Sequence, residues 1–211
     1  HRLVGSPRKG IFFAGNCHDE CDATDLDNEI SAIVAGLDYL AQNGPPAGDA
    51  VEIFEKECIK CLTCLRVCPH GAVMLQGNAK PRIVHEACFE CGICVSNCPA
   101  KAIKQEAFSD SRLSGEDVVA DTFVFACERS AGLAAEEAAR LGLTNGDKVH
   151  VQKVRCAGRV GLENMFAPLL QGAGRVIVAG CHEGNCRSME GGTYATARIG
   201  AAVQDMGIGS D

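Results

Sequence analysis

Long apolar runs, an excess of positive charge and residue groupings typical of hydrolytic enzymes are all missing from this sequence of 211 residues. No stretch approaches the roughly 18 consecutive apolar residues that a membrane-spanning helix needs, so we expect at most a peripheral association with a membrane. The 20 Lys and Arg residues are outnumbered by 27 Asp and Glu, and the net charge of −7 argues against a nucleic acid partner. No Ser-His-Asp grouping or carboxylate pair indicates substrate chemistry in the chain itself.

Cysteine is abundant, with 14 residues in an otherwise ordinary composition. Eight of them form two runs of the pattern C-x2-C-x2-C-x3-C-P, at residues 58–69 and 88–99. Three cysteines on such a tight loop reach three corners of a [4Fe-4S] cube, and in a two-cluster arrangement the last cysteine of each run serves the other cluster. The expected ligand sets are Cys58, Cys61, Cys64 and Cys98 for one cluster, and Cys88, Cys91, Cys94 and Cys68 for the other.

Zinc and disulfides are the alternatives to clusters at these cysteines. Zinc sites hold thiolates in two pairs, whereas two identical runs stand in series here, so the spacing favours clusters. The unit resembles bacterial two-cluster ferredoxins, also in the matching tails Pro69-His70-Gly71-Ala72-Val73 and Pro99-Ala100-Lys101-Ala102-Ile103. About sixty residues bury too small a core to fold alone, so metal–thiolate bonds are expected to supply much of the folding free energy. Reduced thiols in turn predict a cytoplasmic location.

Stretches rich in Pro, Gly or Ser near 45–48 and 109–115 divide the chain into three segments, residues 1–46, 47–110 and 111–211. The last segment alternates strand and helix patterns, with strands predicted at 122–126, 149–154 and 175–179. Helices are predicted near 131–141, 162–169 and 194–206. This alternation predicts a parallel sheet with helices on its faces. The chain as a whole is expected to be a multidomain protein that combines α+β and α/β units.

Four further cysteines follow the predicted strands of the last segment. Cys127, Cys156 and Cys181 each come just after a strand, and Cys186 follows five residues later. Because parallel sheets bind ligands at the carboxyl ends of their strands, we expect the four side chains to converge on one edge. Four thiolates suit a [2Fe-2S] cluster or zinc, and the neighbouring cluster motifs favour iron.

The motifs around these cysteines are Phe125-Ala126-Cys127, Val154-Arg155-Cys156-Ala157-Gly158-Arg159-Val160 and Val178-Ala179-Gly180-Cys181-His182-Glu183-Gly184-Asn185-Cys186. They resemble the delta subunit of methyl-viologen-reducing hydrogenases, which implies a [2Fe-2S] cluster in this segment. Ser130 stands where that family has another cysteine, so four candidate ligands remain. Arg159 and Arg187 adjoin candidate ligands, where a cation would raise a cluster's potential, and His182 is a less favoured ligand.

The first segment is predicted to form a strand at 10–14, a loop with Gly15 and Asn16, and an amphipathic helix at about 25–41. It resembles the last strand, loop and helix of two-dinucleotide-domain flavoproteins. The resemblance implies that Gly15 and Asn16 contact FAD, whose site lies largely on sequence outside this chain. Cys17 and Cys21 do not belong to that ending, and they are either free thiols, which we favour, or ligands of a cluster that a partner chain completes. We expect the chain to be part of a longer polypeptide.

The order of a flavoprotein tail, a two-cluster ferredoxin and a delta-like domain resembles the carboxy-terminal part of the heterodisulfide reductase flavoprotein, the A subunit of that enzyme. The resemblance implies a relay subunit of an anaerobic oxidoreductase complex, in which FAD exchanges electrons with two [4Fe-4S] clusters and one [2Fe-2S] cluster, with electron bifurcation as an analogy. Its partners would be other subunits of the complex and the upstream flavoprotein portion. Two alternatives stay open: a self-contained flavin and iron–sulfur oxidoreductase with its substrate site upstream, and a non-enzymatic iron–sulfur redox sensor.

Overall fold

The structure is a computed structural model, and it describes residues 4, 11–17, 20–43, 51–106, 108–109, 120–143 and 148–207. The chain forms two compact units, His1–Gly48 and Asp49–Asp211. Within the described ranges, no helix is both long and apolar enough to cross a membrane. The two predicted linkers lie almost wholly outside the described residues.

The first unit contains helix α1, Ala23–Asn43, preceded by a 3₁₀ turn at Gly15–Cys17. The predicted helix is therefore present and slightly longer at both ends. Asp22 caps it, because its Oδ1 accepts a hydrogen bond from the Asp25 backbone N–H at 2.8 Å. The predicted strand at 10–14 is wrong for the described residues 11–14, which form only one bridge, at Phe12. The Phe13 backbone N–H donates to the Val4 carbonyl, and a strand needs such pairing along its length.

Residues 51–106 of the second unit form two matching halves. Strand β1 (Val51–Ile53) pairs antiparallel with β4 (Ile103–Gln105), and β2 (Val73–Met74) pairs antiparallel with β3 (Arg82–Ile83). Each half carries a cysteine loop followed by a short helix, α2 (Thr63–Val67) or α3 (Ile93–Ser96). The buried core of this region consists of Val51, Cys64, Val73, Val95, Cys98, Ala102 and Ile103. A core of this size is small for independent folding.

A parallel sheet forms the rest of the second unit. Strand β5 (Thr122–Cys127) lies between β6 (Val149–Val154) and β7 (Arg175–Ala179), and both pairings are parallel. Helices α4 (Ala131–Arg140), α5 (Leu162–Leu170) and α6 (Gly191–Asp205) follow the three strands in turn. The predicted sheet is confirmed, although α6 begins before its predicted start near 194. The register sets Cys127 opposite Val154 and Ala126 opposite Ala179, so the carboxyl ends of the strands are level.

Candidate iron–sulfur sites

The two cysteine loops follow the same backbone path. On either side of the middle cysteine, Lys60 and Leu62 have φ angles of 60° and 61°, and Glu90 and Gly92 have 55° and 73°. The left-handed region costs a residue with a side chain about 1–2 kcal/mol, so its repeated use at matching positions reflects a structural requirement. Backbone turns that include left-handed residues can form a concave nest of N–H groups, which favours a negatively charged group such as an iron–sulfur cluster.

The first predicted ligand set lines one cavity. Cys58, Cys61, Cys64 and Cys98 share its wall with apolar residues, among them Ile53, Leu62, Pro81 and Ile103. Burial raises the pKa of Cys64, and the nearby Cys58, Cys61 and Cys98 thiols raise it further. The four sulfurs are therefore neighbours inside an apolar wall, which limits the access of water to a bound cluster.

The second predicted ligand set lines a separate cavity, whose wall includes Cys68, Cys88, Cys91 and Cys94. Burial raises the pKa of Cys88 to about 11, with Cys91 and Cys68 acting in the same direction. The pKa of Cys94 is also raised, first by burial and then by the neighbouring thiols of Cys91, Cys88, Cys68 and Cys64. Because Cys64 belongs to the first set, the two quartets adjoin through Cys64 and Cys94.

The third set meets at the carboxyl edge of the parallel sheet. Cys127, Cys156, Cys181 and Cys186 line one cavity there, and the Cys127 Sγ lies 3.7 Å from the Cys181 Sγ. Burial raises the pKa of Cys156 to about 12, and the Cys186 and Cys127 thiols act in the same direction. The structure thus brings together the four sulfurs that the strand order predicts to converge.

The amino-terminal end of α6 touches this third quartet. A β-carbon at Gly191 would lie 2.2 Å from the Cys156 Sγ and 3.3 Å from the Cys186 Sγ, so only glycine fits there. Gly191 is the first residue of a helix of 15 residues. The positive end of its dipole therefore faces sulfurs that must be thiolates when they bind metal.

The second and third quartets share a wall. Cys91 and Phe89 line both cavities, and Cys91 is packed in one buried cluster with Cys156. The Phe89 ring stacks on His70 with 4.1 Å between ring centroids. The Ser188 hydroxyl lies 3.4 Å from the His70 Nε2. Burial raises the pKa of Cys91, and a hydrogen bond with the Ser188 side chain acts in the opposite direction.

Three arginines line the third cavity, namely Arg129, Arg155 and Arg187. Arg155 pairs with Glu128 at 2.7 Å and with Glu90 of the second cysteine loop at 3.5 Å. The expected cation beside the ligands is therefore present at Arg187. Arg155 is a second cation in the cavity wall, and it also pairs with Glu90 of the second cysteine loop. His182 is exposed and does not belong to the residues that line this cavity.

Arg159 does not have the role that its position in the sequence indicates. Its side chain is 1% exposed and its Nη2 donates to the Phe108 carbonyl oxygen at 2.5 Å. A β-carbon at Gly92 would lie 2.4 Å from the Arg159 Cδ. Arg159 thus packs against the second cysteine loop instead of lining the third cavity, and it fixes the sheet against the cysteine-rich region.

The donor sets fit iron–sulfur clusters in their chemistry. The first and second cavities are each lined by four cysteines, and the third by its own four and by Cys91, so that each offers the thiol sulfurs that such clusters require. Among the described residues, no group of three or more His, Cys, Asp or Glu side chains is arranged to hold a metal ion.

In the first unit, the two residues assigned to FAD are engaged locally. The Gly15 N–H donates to the Glu29 carboxylate at 2.7 Å, and Glu29 is buried. The Asn16 Oδ1 accepts a hydrogen bond from the Cys21 N–H at 2.9 Å, and the Cys17 thiol donates to the Ala14 carbonyl at 3.1 Å. These bonds are made within the segment, and Asn16 is exposed.

Nothing in the residue pattern alone singles out Ser188 or the contact between Arg159 and Gly92. One signal was available for Gly92, because the matched position in the first loop is Leu62, which carries a side chain. A second was the pair Gly191-Gly192 ahead of the predicted helix. Both mark places where another part of the chain approaches the backbone closely.

Comparison with known proteins matches these regions to two families. Residues 122–210 match the family model described as methyl-viologen-reducing hydrogenase, delta subunit, and residues 51–105 match that of a 4Fe-4S dicluster domain. The chain is 40% identical over 74 residues to the iron-sulfur D subunit of the F420-non-reducing hydrogenase of Archaeoglobus profundus, covering 35% of this chain and 54% of that relative. It is 36% identical over 63 residues to the iron-sulfur D subunit of the F420-non-reducing hydrogenase vhu of Methanopyrus kandleri, covering 28% of this chain and 48% of that relative.

The chain spans about half the length of these two relatives. The dicluster match supports [4Fe-4S] clusters in the region of the two cysteine runs. The chain therefore contains a 4Fe-4S dicluster domain followed by a domain of the hydrogenase delta-subunit type.

Proposed function

We propose that this chain is an electron-relay subunit of a hydrogenase- or heterodisulfide-reductase-like oxidoreductase complex. The observation that carries the proposal is the shared wall between the second and third quartets, where Cys91 packs with Cys156 and Phe89 borders both cavities. The first and second quartets adjoin as well, through Cys64 and Cys94. Three neighbouring sites in the order first, second, third form a path for electrons through the chain.

The first quartet, Cys58, Cys61, Cys64 and Cys98, and the second, Cys68, Cys88, Cys91 and Cys94, would each hold a [4Fe-4S] cluster. The third, Cys127, Cys156, Cys181 and Cys186, would hold a [2Fe-2S] cluster. Such clusters supply one-electron oxidation and reduction without proton or atom transfer. The protein's part is to exclude water with apolar walls and to place the dipole of α6 and the arginines beside the third quartet.

The proposal also includes a flavin, FAD. We assign FAD to a preceding flavoprotein portion, which would exchange electrons with the clusters and split electron pairs between two paths. The support is the helix α1, where Ile30, Val34 and Leu37 leave an apolar stripe about half exposed. We propose a cytoplasmic or membrane-peripheral complex for the assembled protein. Within the proposal, Gly15 and Asn16 are the residues of this chain that would contact the flavin.

The test is metal and sulfide analysis of anaerobically prepared protein, combined with EPR during stepwise reduction. About ten irons per chain are expected, eight in two cubane clusters and two in the third site. Eight irons with one zinc would make the third site structural and would end the path at the dicluster domain. Fewer than eight would contradict the relay itself.

Single substitutions separate the third site from the other two. Cys127→Ser or Cys156→Ser is expected to remove the [2Fe-2S] signal and about two irons while both cubane signals persist. Cys17→Ser is the matched control, since this exposed cysteine lies outside all three quartets. If the cubane signals fall together with the third signal, the sites are not separate.

A further inference from the structure

The dicluster domain has two matching surfaces, one in each cysteine run, and the delta-type domain covers the one in the second run. We name residues 58–69 repeat 1 and residues 88–99 repeat 2, and their cysteines and left-handed residues match position by position. The repeat-1 face consists of the positions around Cys61 that correspond to the covered positions around Cys91. The five matched pairs are Ile59 with Phe89, Lys60 with Glu90, Leu62 with Gly92, Thr63 with Ile93, and Arg66 with Ser96.

In repeat 2, these positions are the contact surface of the delta-type domain. Ile93 is 0% exposed and packs so closely on Gly158 that a β-carbon there would lie 2.8 Å from its Cγ1. The Ser96 hydroxyl donates to the Gly158 carbonyl at 2.7 Å and lies 3.1 Å from the Arg198 Nη2. Glu90 pairs with Arg155 at 3.5 Å. The second cysteine quartet is thus joined to the third through this face.

Two of these positions, Ile59 and Arg66, are exposed in repeat 1, whereas Lys60, Leu62 and Thr63 are half-buried. Ile59 is 65% exposed, and Leu65, which precedes Arg66 and lies outside the five pairs, is 38% exposed. Arg66 is exposed as well, and its Nη2 donates to the Cys61 carbonyl at 3.0 Å. Exposed aliphatic side chains beside a redox site are typical of a surface that a partner covers.

Charge at the matched positions indicates what kind of partner fits. Repeat 2 presents the carboxylate of Glu90 to an arginine of the delta-type domain. Repeat 1 has Lys60 at that position and Arg66 where repeat 2 has Ser96. The Lys60 ammonium donates to the Asn78 Oδ1 at 2.8 Å, a neutral group that leaves the positive charge uncompensated by this bond. The complementary partner therefore presents carboxylates.

A second copy of the delta-type domain does not fit the repeat-1 face. Its Arg155 would meet Lys60 in place of Glu90, so two like charges would oppose each other. Its Arg159 would need the space that Gly92 leaves open, and Leu62 fills that space with a side chain. The differences between the repeats at these two positions therefore disfavour binding of a delta-type domain to repeat 1.

We propose, as an extension of the proposed function, that the repeat-1 face is a docking surface for an acidic one-electron carrier protein. Ile59 and Leu65 would supply apolar contacts, and Lys60 and Arg66 would pair with carboxylates of the carrier. The exchange balances as one electron leaving the carrier and one entering the chain, or the reverse, with no bond made or broken. This places an entry or exit for electrons at the end of the path opposite to the third quartet.

The experiment uses the cluster-loaded chain and two protein probes, an acidic flavodoxin and a basic cytochrome c. Binding is measured anaerobically at low and high salt, and flavodoxin carboxylates are coupled to lysines with a carbodiimide. Lys60→Glu is the main variant, since repeat 2 carries glutamate at the matched position in the same backbone conformation. Arg66→Glu is the second variant. Lys148→Glu is the control, because the Lys148 side chain is 77% exposed on the delta-type domain.

Flavodoxin is expected to bind more tightly than cytochrome c, with an affinity that falls as salt rises, and to couple to Lys60. Lys60→Glu and Arg66→Glu should each weaken binding by about tenfold, whereas Lys148→Glu should change it by less than about twofold. Tighter binding of cytochrome c, or equal losses in all three variants, would overturn the docking surface. Iron content is measured on the same samples. About eight cubane irons without flavodoxin binding would contradict only the docking proposal. A chain without those irons would contradict the proposed electron relay as well.

Discussion

Repeat 1 and repeat 2 of the dicluster domain have the same cysteine spacing and the same left-handed residues, yet their surroundings differ. Repeat 2 is packed against the delta-type domain through Ile93, which is 0% exposed. Repeat 1 leaves Ile59 65% exposed. A duplicated cluster-binding loop can therefore keep its backbone while the residues between the cysteines are changed to suit different neighbours.

The hydroxyl groups near the middle cysteines show the same difference. In repeat 1, the Thr63 Oγ1 lies 3.4 Å from the Cys61 Sγ, so the loop supplies its own hydroxyl group. Repeat 2 has Ile93 at that position, and the hydroxyl near Cys91 comes from Ser188 of the delta-type domain. With isoleucine in place of threonine, repeat 2 has an apolar contact, and the Cys91 sulfur depends on another domain for its side-chain hydrogen bond.

The largest expected effect comes from replacing the middle cysteines. Cys61→Ser and Cys91→Ser should each lose one cubane cluster, but Cys91→Ser should also lower the free energy of unfolding by about 1–3 kcal/mol more. The reason is that Cys91 is buried with Cys156, where a serine hydroxyl would have to give up its water. Anaerobic denaturant titration with iron analysis measures both quantities. Equal stability losses would contradict the difference in packing.

An exchange at the positions of Leu62 and Gly92 should have the next largest effect. Gly92→Leu should destabilise the protein by about 2–5 kcal/mol, because it adds a side chain at a φ of 73° and drives it into Arg159. Leu62→Gly should change stability by no more than about 1 kcal/mol, because the loss of a half-buried side chain is offset by relief of the left-handed conformation. Comparable losses in the two variants, measured by denaturant titration of the cluster-loaded chain, would show that Arg159 does not pack there.

The smallest effect is expected at the hydroxyl groups. Hydrogen bonds to cluster sulfurs favour the more negative, reduced state, so removing one lowers the potential. A net hydrogen bond of about 0.5–1.5 kcal/mol corresponds to about 20–60 mV for one electron. Thr63→Val should lower only the potential of the first cubane, and Ser188→Ala only that of the second, in EPR-monitored redox titrations. A shift of both potentials in either variant would indicate a general structural change.

The convergence of the third quartet could be predicted because it depends on a local rule. Cys127, Cys156 and Cys181 each follow a strand, and parallel pairing brings such ends to one edge. The strand predicted at 10–14 was wrong for the described residues 11–14, because an apolar pattern in one segment does not determine whether that segment pairs along its length. Arg159 was misjudged for a similar reason: proximity to Cys156 in the chain does not determine which way a long side chain points.

The sequence by itself determined the three groups of cysteines, the matched backbone of the two repeats and the parallel order of the sheet. These depend on spacing and periodicity, which act over a few residues or through a general pairing rule. Only the tertiary structure decided that repeat 2 contacts the third quartet, that Arg159 packs on Gly92, and that Ser188 lies beside Cys91. Such contacts join residues about 70–100 positions apart, and their geometry depends on how two domains pack, which no local pattern encodes.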